Sequence, residues 1–405
     1  MTSNEVWTAE HRSVVTASFL GWMLDAFDYF LVVFVVTHLA TDFKTDVTGV
    51  TLGLSATLAM RPVGAFLFGR FGDRYGRRPA LMASILLYSA MELATAFSSS
   101  LNVFIALRAL YGIAMGGEWG IGAALAFEAV PVRSRGLVSG ILQAGYPCGY
   151  LLASVVYGLL FEHIGWRGMF VVGAVPALLV LYIYSKVPES QTWAAGRQQP
   201  ARLGLLDSLR GHWKLALYAI VLMACFNAFS HGTQDLYPTM LGKQRGFSTG
   251  TISQIAIVYN IGAILGGVLF GSLSGRVGRR RAIALAAALS LIVLPFWAYS
   301  TTPVALAIAS FAMQFMVQGA WGVVPVHLNE LSPEGVRATF PGVVYQLGNL
   351  LVSFNATMQS AIAAHLNEAH PDYSFALTLV CGIVAAALVL LALFGPERRN
   401  ARFAA

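Results

Sequence analysis

The sequence predicts an all-α membrane protein whose twelve transmembrane helices form two pseudo-symmetric six-helix bundles. Three observations predict it. Apolar runs of about 20 residues, the length a helix needs to cross the hydrocarbon, recur along the 405 residues. Lys and Arg gather between those runs on one side. The second half of the chain repeats the first at one constant offset.

Twelve runs read as spans: 14–40, 48–69, 80–98, 102–124, 136–161, 168–186, 214–240, 250–272, 282–300, 303–325, 339–364 and 374–395. The chain is 57 % hydrophobic and 11 % charged. A soluble domain carries about 25 % charged residues, so this one has too few to coat a globular surface. The first run contains Asp25 and Asp28 and no small-residue cleavage site, unlike a signal peptide. With the N-terminus inside, 20 Lys and Arg residues fall on the cytoplasmic side, four (Lys44, Arg167, Lys243, Arg245) outside, and two (Arg61, Arg108) within spans. That asymmetry puts both termini in the cytoplasm of a cell membrane, such as a bacterial inner membrane. The net charge of +7 is therefore topological, and no nucleic-acid partner is expected. Cys148, Cys225 and Cys381 lie singly in spans, which is neither a disulfide framework nor a metal site. No nucleotide-binding loop or nucleophile elbow occurs, so no enzyme and no cofactor beyond a proton gradient is expected.

The repeat defines the domains. Residues 69–78 read GRFGDRYGRR and residues 271–280 read GSLSGRVGRR. Trp119-Gly120 matches Trp321-Gly322, Glu128 matches Glu330, Arg135 matches Arg337, and Asp25-Ala-Phe aligns with Asn227-Ala-Phe, each pair 202 apart. The expected units are a bundle over 1–186, a cytoplasmic linker over 187–213 and a second bundle over 214–405. Parallel repeats of this kind are a transporter architecture, with the substrate site at mid-membrane between the halves.

Charged groups inside spans are costly and are read as functional. In span 1, Asp25 and Asp28 are three apart and share a helix face. Two carboxylates so close in a low dielectric do not both ionise easily, which suits a proton carrier. The alternative is fixed pairing with Arg61 or Arg108. Arg61, about two turns from the cytoplasmic end of span 2, either binds an anionic substrate through its guanidinium fork or partners an aspartate. Arg108 is read as nearer the cytoplasmic start of span 4, with a structural or proton-relay role. Glu118, after Gly116-Gly117 in span 4, needs a partner or a proton. Its repeat mate is Ala320, so it is a candidate coupling residue outside the shared scaffold. Glu128, Arg135, Glu330 and Arg337 read as a paired cytoplasmic lock or as helix-end ion pairs. In the loop motif, Asp73 is placed to accept hydrogen bonds from a helix N-terminus or an arginine, with Gly69, Arg74, Arg77 and Arg78 around it.

Span 7 carries NAFSHGTQD at 227–235. Asn227, Ser230, His231, Gln234 and Asp235 fall at i, i+3, i+4, i+7 and i+8, one polar face on an apolar helix. That is the pattern of a helix lining a water-filled cavity. The repeat predicts that this face looks at helix 1, and Pro238 is expected to kink the outer end.

The loop motif, its weaker second copy and Arg108-x-x-x-Gly112 resemble the major facilitator superfamily. Asn227-x-x-Ser230-His231-x-Thr233-Gln234-Asp235-x-x-x-Thr239 further resembles the lactate and pyruvate permease branch of the sialate:proton symporter family. Gln346 and Asn349 in span 11 match the polar pair of that branch, and Val187-Pro188-Glu189-Ser190 also suits it. The resemblance implies monocarboxylate–proton symport by alternating access. It implies that Asn227, His231, Gln234 and Asp235 serve substrate binding and proton coupling, with Gln346 and Asn349 as further substrate contacts. The charged groups read above add Arg61 to the substrate contacts and Asp25, Asp28 and Glu118 to proton coupling. The implied partners are a small organic anion, a proton and the bilayer, with the chain acting as a monomer. Histidine titrates near neutrality, so a proton taken up at His231–Asp235 can help hold the anion.

Other readings stay open on the same scaffold. A dicarboxylate would want a second cation, and a sialic acid more room. A drug:proton antiporter would carry Gly-Pro-x-x-Gly-Gly in helix 5, where Gly145-Tyr-Pro147-Cys-Gly149 is displaced and incomplete. A nutrient receptor that binds without carrying is the reading outside transport.

Overall fold

A computed structural model describes residues 7–45, 47–197, 211–237, 240–333, 336, 339–353, 355–366 and 372–398. Among them every regular element is helical. The first half contains α1 (Ala9–Asp42), α2 (Val47–Tyr75), α3 (Arg77–Ala96), α4 (Leu101–Ala129), α5 (Arg135–Val172) and α6 (Ala177–Lys186), followed by the short α7 (Gln191–Arg197). The second contains α8 (Trp213–Gln234), α9 (Thr249–Val277), α10 (Arg279–Tyr299), α11 (Pro303–Trp321), α12 (Val324–Leu331), α13 (Thr339–Leu351), α14 (Asn355–Leu366) and α15 (Tyr373–Phe394).

Eight of the described helices are long and apolar enough to cross a membrane, with α11–α12 counted as one, or nine with the bent α5. The remaining predicted spans are α4, which carries Arg108, Glu118 and Glu128, the short α6, and the broken pair α13–α14. The turn expected between spans 5 and 6 falls at Gly165 inside α5, whose φ is 62°. Three boundaries differ from expectation. Span 10 breaks at Gly322-Val323, and span 11 breaks after Leu351. Helix α8 stops at Gln234, capped by Asp235, whose N–H donates to the His231 carbonyl. Pro238 and the linker residues 198–210 lie outside the described residues.

Arg70, Arg74, Arg77, Arg78 and Arg276 to Arg281 mark one basic end of the molecule. Four helices that run toward it start on side-chain caps at the opposite end. Ser100, Ser248, Thr302 and Asp372 accept N–H groups of α4, α9, α11 and α15. Such caps replace hydrogen bonds that the first turn cannot make to itself.

The apolar core splits by half. One cluster joins residues of α8 to α15, with only Trp22 and Trp119 from the first half. Two others join residues between Val14 and Val187, with only Val326 from the second. Equivalent helices cross at equivalent glycines. A Cβ on Gly64 would overlap the Ile113 carbonyl between α2 and α4, and one on Gly266, 202 residues on, would overlap that of Phe315 between α9 and α11.

The halves meet in two pseudo-equivalent places. Gly69 of α2 packs on Thr339 at the start of α13, and its repeat mate Gly271 of α9 packs on Gly136 and Gly140 of α5. Gly140 also lies against the Gly267 carbonyl. Small residues four apart let helix backbones approach this closely.

Candidate functional site

The basic end is closed by the loop motif. Gly76 and Gly278 have φ of 120° and 103°, backbone that only glycine adopts without strain. The turn brings the first N–H groups of α3 onto the carboxylate of Glu189, which accepts from Arg77 and Arg78. Glu397 does the same for Arg279 at the start of α10. Asp73 pairs with Arg77 at 3.1 Å and accepts from the Thr339 N–H at 3.2 Å and from its hydroxyl. This carboxylate therefore ties the end of α2 to the N-terminus of α13 in the other half. Glu128 and Glu330 pair with Arg77 and Arg279, each at 3.0 Å.

Of the four residues expected to form a cytoplasmic lock or helix-end ion pairs, Glu128 and Glu330 are thus paired with arginines of the loop motif. The bidentate partners are the motif arginines, themselves 202 apart, because the tight turn aims them at the ends of α4 and α12. Arg135 donates to the Phe127 carbonyl, and Arg337 lies outside the described residues. The exposed Arg74 lies over the Tyr75 ring.

Inside the first half, four carboxyls and two guanidiniums are buried together. Asp25 pairs with Arg61 at 3.7 Å. Asp28, one turn on, has no hydrogen-bond partner for either oxygen among the described residues. Arg108 pairs with Glu92 of α3, both fully buried, and stacks over the Tyr111 ring at 3.8 Å. Glu118 has no hydrogen-bond partner for either oxygen among the described residues, and lies against Gly21 and Ser18 of α1 beside a cavity of about 10 Å³ that reaches Pro325 of the other half.

Two expectations change here. Arg108 is not near a cytoplasmic start: α4 begins at the end opposite the basic loop, because it follows a helix that leaves that loop. Its partner Glu92 was not singled out, although one acid in the apolar run MASILLYSAMELATAF was the available signal.

In the second half, His231 and Asp235 lie 3.2 Å apart, Nδ1 to Oδ1, with side chains 37 % and 38 % exposed. They stand at the C-terminal end of α8, where both side chains stay open to solvent. The charge of Asp235 reaches Tyr29 and Tyr146 of the first half, and that of Arg61 reaches His231. Tyr345 of α13, packed on Trp119 and Trp321, lies within electrostatic reach of Arg61.

The rest of the polar face does not look at helix 1, as the repeat predicted. Ser230, Thr233 and Gln234 bond to Gln318, Gln314 and Gln314 of α11, at 3.1, 3.0 and 2.9 Å. Asn227 donates to the Met223 carbonyl at 2.9 Å and reaches that of Tyr345 at 3.5 Å. A five-residue stripe covers too wide an arc for one neighbour, and His231 and Asp235 pair with each other. Gln314 and Gln318, four apart in an apolar run, were legible as a polar pair but were not singled out. Gln346 is buried with its Oε1 unpartnered, and Asn349 is half-buried three residues on.

Comparison with known proteins agrees with this architecture. The family profile described as Major Facilitator Superfamily matches residues 18–248 and 236–405. A carboxylic acid transporter protein homolog of Saccharomyces cerevisiae is 29 % identical over 371 residues, which is 85 % of this chain and 60 % of the yeast protein. The chain thus spans less than two thirds of that relative's length. The sialic acid transporter NanX of Escherichia coli is 28 % identical over 342 residues, 83 % of this chain and 84 % of NanX. Among solved structures, the proton:xylose symporter XylE bound to 6-bromo-6-deoxy-D-glucose aligns with a TM-score of 0.79 at 20 % identity, over 97 % of this chain and 98 % of the other.

Proposed function

We propose, on the premise that the chain belongs to the Major Facilitator Superfamily, that it carries a short organic monocarboxylate together with a proton by alternating access. It is a membrane transporter, not an enzyme. The basic end is read as cytoplasmic, with both termini there. The structure is then one outward-facing state, sealed inside by the Asp73–Thr339 tie and the glycine crossings.

The observation that carries the reading is the part-exposed His231–Asp235 pair within electrostatic reach of the buried Arg61. A carboxylate needs one cation and one or two hydrogen-bond donors. Arg61 keeps two guanidinium nitrogens unpartnered beyond its long contact with Asp25. A protonated His231 adds a second positive charge that exists only while the proton is aboard. Anion and proton therefore favour each other's binding, which is the coupling free energy that symport requires. Gln346 and Asn349 stand one helix away as donors for a 2-hydroxy or 2-oxo oxygen. Asn227 and Gln234 are both engaged within the second half.

Sialic acid is the second reading. The relative NanX, 28 % identical over 83 % of this chain, is a sialic acid transporter, which supports this reading. Uptake of labelled lactate into proteoliposomes, competed with pyruvate, succinate and sialic acid, separates the readings. Competition by pyruvate and not succinate is expected. Competition by sialic acid alone would replace lactate as the substrate class.

A further inference from the structure

Glu92 has no part in the proposed substrate site, yet it holds the shortest route between the buried charges of the first half. It lies in the penultimate turn of α3, fully buried, with Oε1 on Arg108 and Oε2 without a partner among the described residues. A Cβ at Gly173 would lie 3.2 Å from Oδ1 of Asp28 and 3.4 Å from Oε2 of Glu92, so the two carboxyls face one point. Arg108 also feels the charge of Asp28. Arg108 of α4 is in contact with Glu92, and the charge of Glu92 also reaches Asp25 and Asp28 of α1, Tyr88 of its own helix and Tyr111 of α4. Tyr111 donates to the Asp25 carbonyl at 3.3 Å.

The charge count is informative. Asp25, Asp28, Glu92 and Glu118 supply four carboxyls, while Arg61 and Arg108 supply two positive charges, and all six side chains are buried. Fully ionised, the cluster would carry two uncompensated negative charges away from water, at a cost that protonation removes. The two carboxyls paired to guanidiniums, Asp25 and Glu92, are those placed to ionise. Asp28 and Glu118, with no cation in contact, are those placed to hold protons.

We propose that Glu92 and Asp28 are alternative counterions of Arg108, so that a proton on one goes with the guanidinium on the other. In the state described, Arg108 sits on ionised Glu92 and Asp28 is neutral. Transfer of the Asp28 proton to Glu92 breaks one O–H bond and forms another. Arg108 then moves to the Asp28 carboxylate, and the number of protons and charges in the cluster is unchanged. The exchange involves neither residue of the His231–Asp235 pair. It gives the first half a proton-holding switch of its own, and its use in transport rests on the proton-coupled reading above.

Difference infrared spectroscopy of the full chain in lipid reads protonated carboxyls directly and needs no substrate. Glu92→Gln should remove one protonated carboxyl's absorbance, although Glu92 itself is ionised, because Arg108 falls back on Asp28. Asp28→Asn should remove the same band, and the double variant should remove no more than either single one. Arg108→Gln should add one protonated carboxyl, and adding Glu92→Gln to it should take that one away. A Glu92→Gln protein with an unchanged band, or bands lost additively in the double variant, would overturn the proposal. The Arg108→Gln pair decides in the same way if Glu92→Gln alone does not fold: no added band means no switch. Wild-type protein that shows this epistasis but no pH-driven lactate uptake would sink the transport reading and leave the switch standing.

Discussion

At the scale of single residues, the two halves treat buried charge differently. The first buries four acids around two arginines, and the second leaves one His–Asp pair part-exposed. His231→Asn keeps size and hydrogen bonding but cannot take a charge. It is expected to lose at least tenfold in pH-driven lactate accumulation while exchange at equal pH on both sides survives; accumulation undiminished from wild type would refute the coupling role. Arg61→Lys keeps the charge but loses the planar fork. A rise of about tenfold in KM for lactate, the value of one well-made charged hydrogen bond, is expected with maximal rate little changed. An unchanged KM would make Arg61 only the standing partner of Asp25. Asp25, Asp28, Arg61 and His231 were legible because isolated polar residues in apolar runs stand out. Glu92, Gln314 and Gln318 carried the same kind of signal, but a lone acid or amide gives no hint of its partner, and partners here come from other helices.

At the scale of elements, glycine placement decides where helices touch and where the chain turns. Gly76 and Gly278 hold positive φ in equivalent turns, and a Cβ at Gly76 would also overlap the Glu189 carboxylate that caps α3. Gly76→Ala should cost about 1–3 kcal/mol from backbone conformation alone and should lower the melting temperature more than Gly242→Ala, a site with no close neighbour under 3.4 Å. Equal melting of the two variants would remove the turn argument. Element existence was readable from hydropathy, because the hydrocarbon imposes a length. The breaks were less so. The breaks at Gly322-Val323 and after Leu351 interrupt runs whose composition stays apolar, and local composition does not record a backbone turn.

At the scale of the whole molecule, the 202-residue repeat was the most informative feature. It anticipated two bundles of equal orientation, the twin turns and the twin crossings of α2 with α13 and of α9 with α5. It misled where the halves have diverged: by symmetry the α8 stripe should face helix 1, yet most of it is taken up by α11. The closure at the basic end should depend on Asp73, whose repeat mate is Gly275, so that the second half carries no carboxylate at the equivalent place. In a background lacking the native cysteines, Ser139→Cys sits in the α5–α12 contact, where its hydroxyl now accepts the Val326 N–H. Asp73→Asn should raise the rate of thiol labelling there several-fold, since Asn keeps the shape but loses the charge that holds Arg77 and the start of α13. Labelling at the wild-type rate would mean that the glycine crossings alone keep that end shut.

The most direct test of proton-coupled anion transport is the accumulation of labelled lactate in proteoliposomes of the purified chain, with an imposed pH gradient as the only driving force. With the lumen alkaline, lactate is expected to rise transiently above its external concentration, to do so less when a protonophore is added, and to fail in His231→Asn vesicles. Lactate uptake that ignores the gradient and the protonophore would contradict the account.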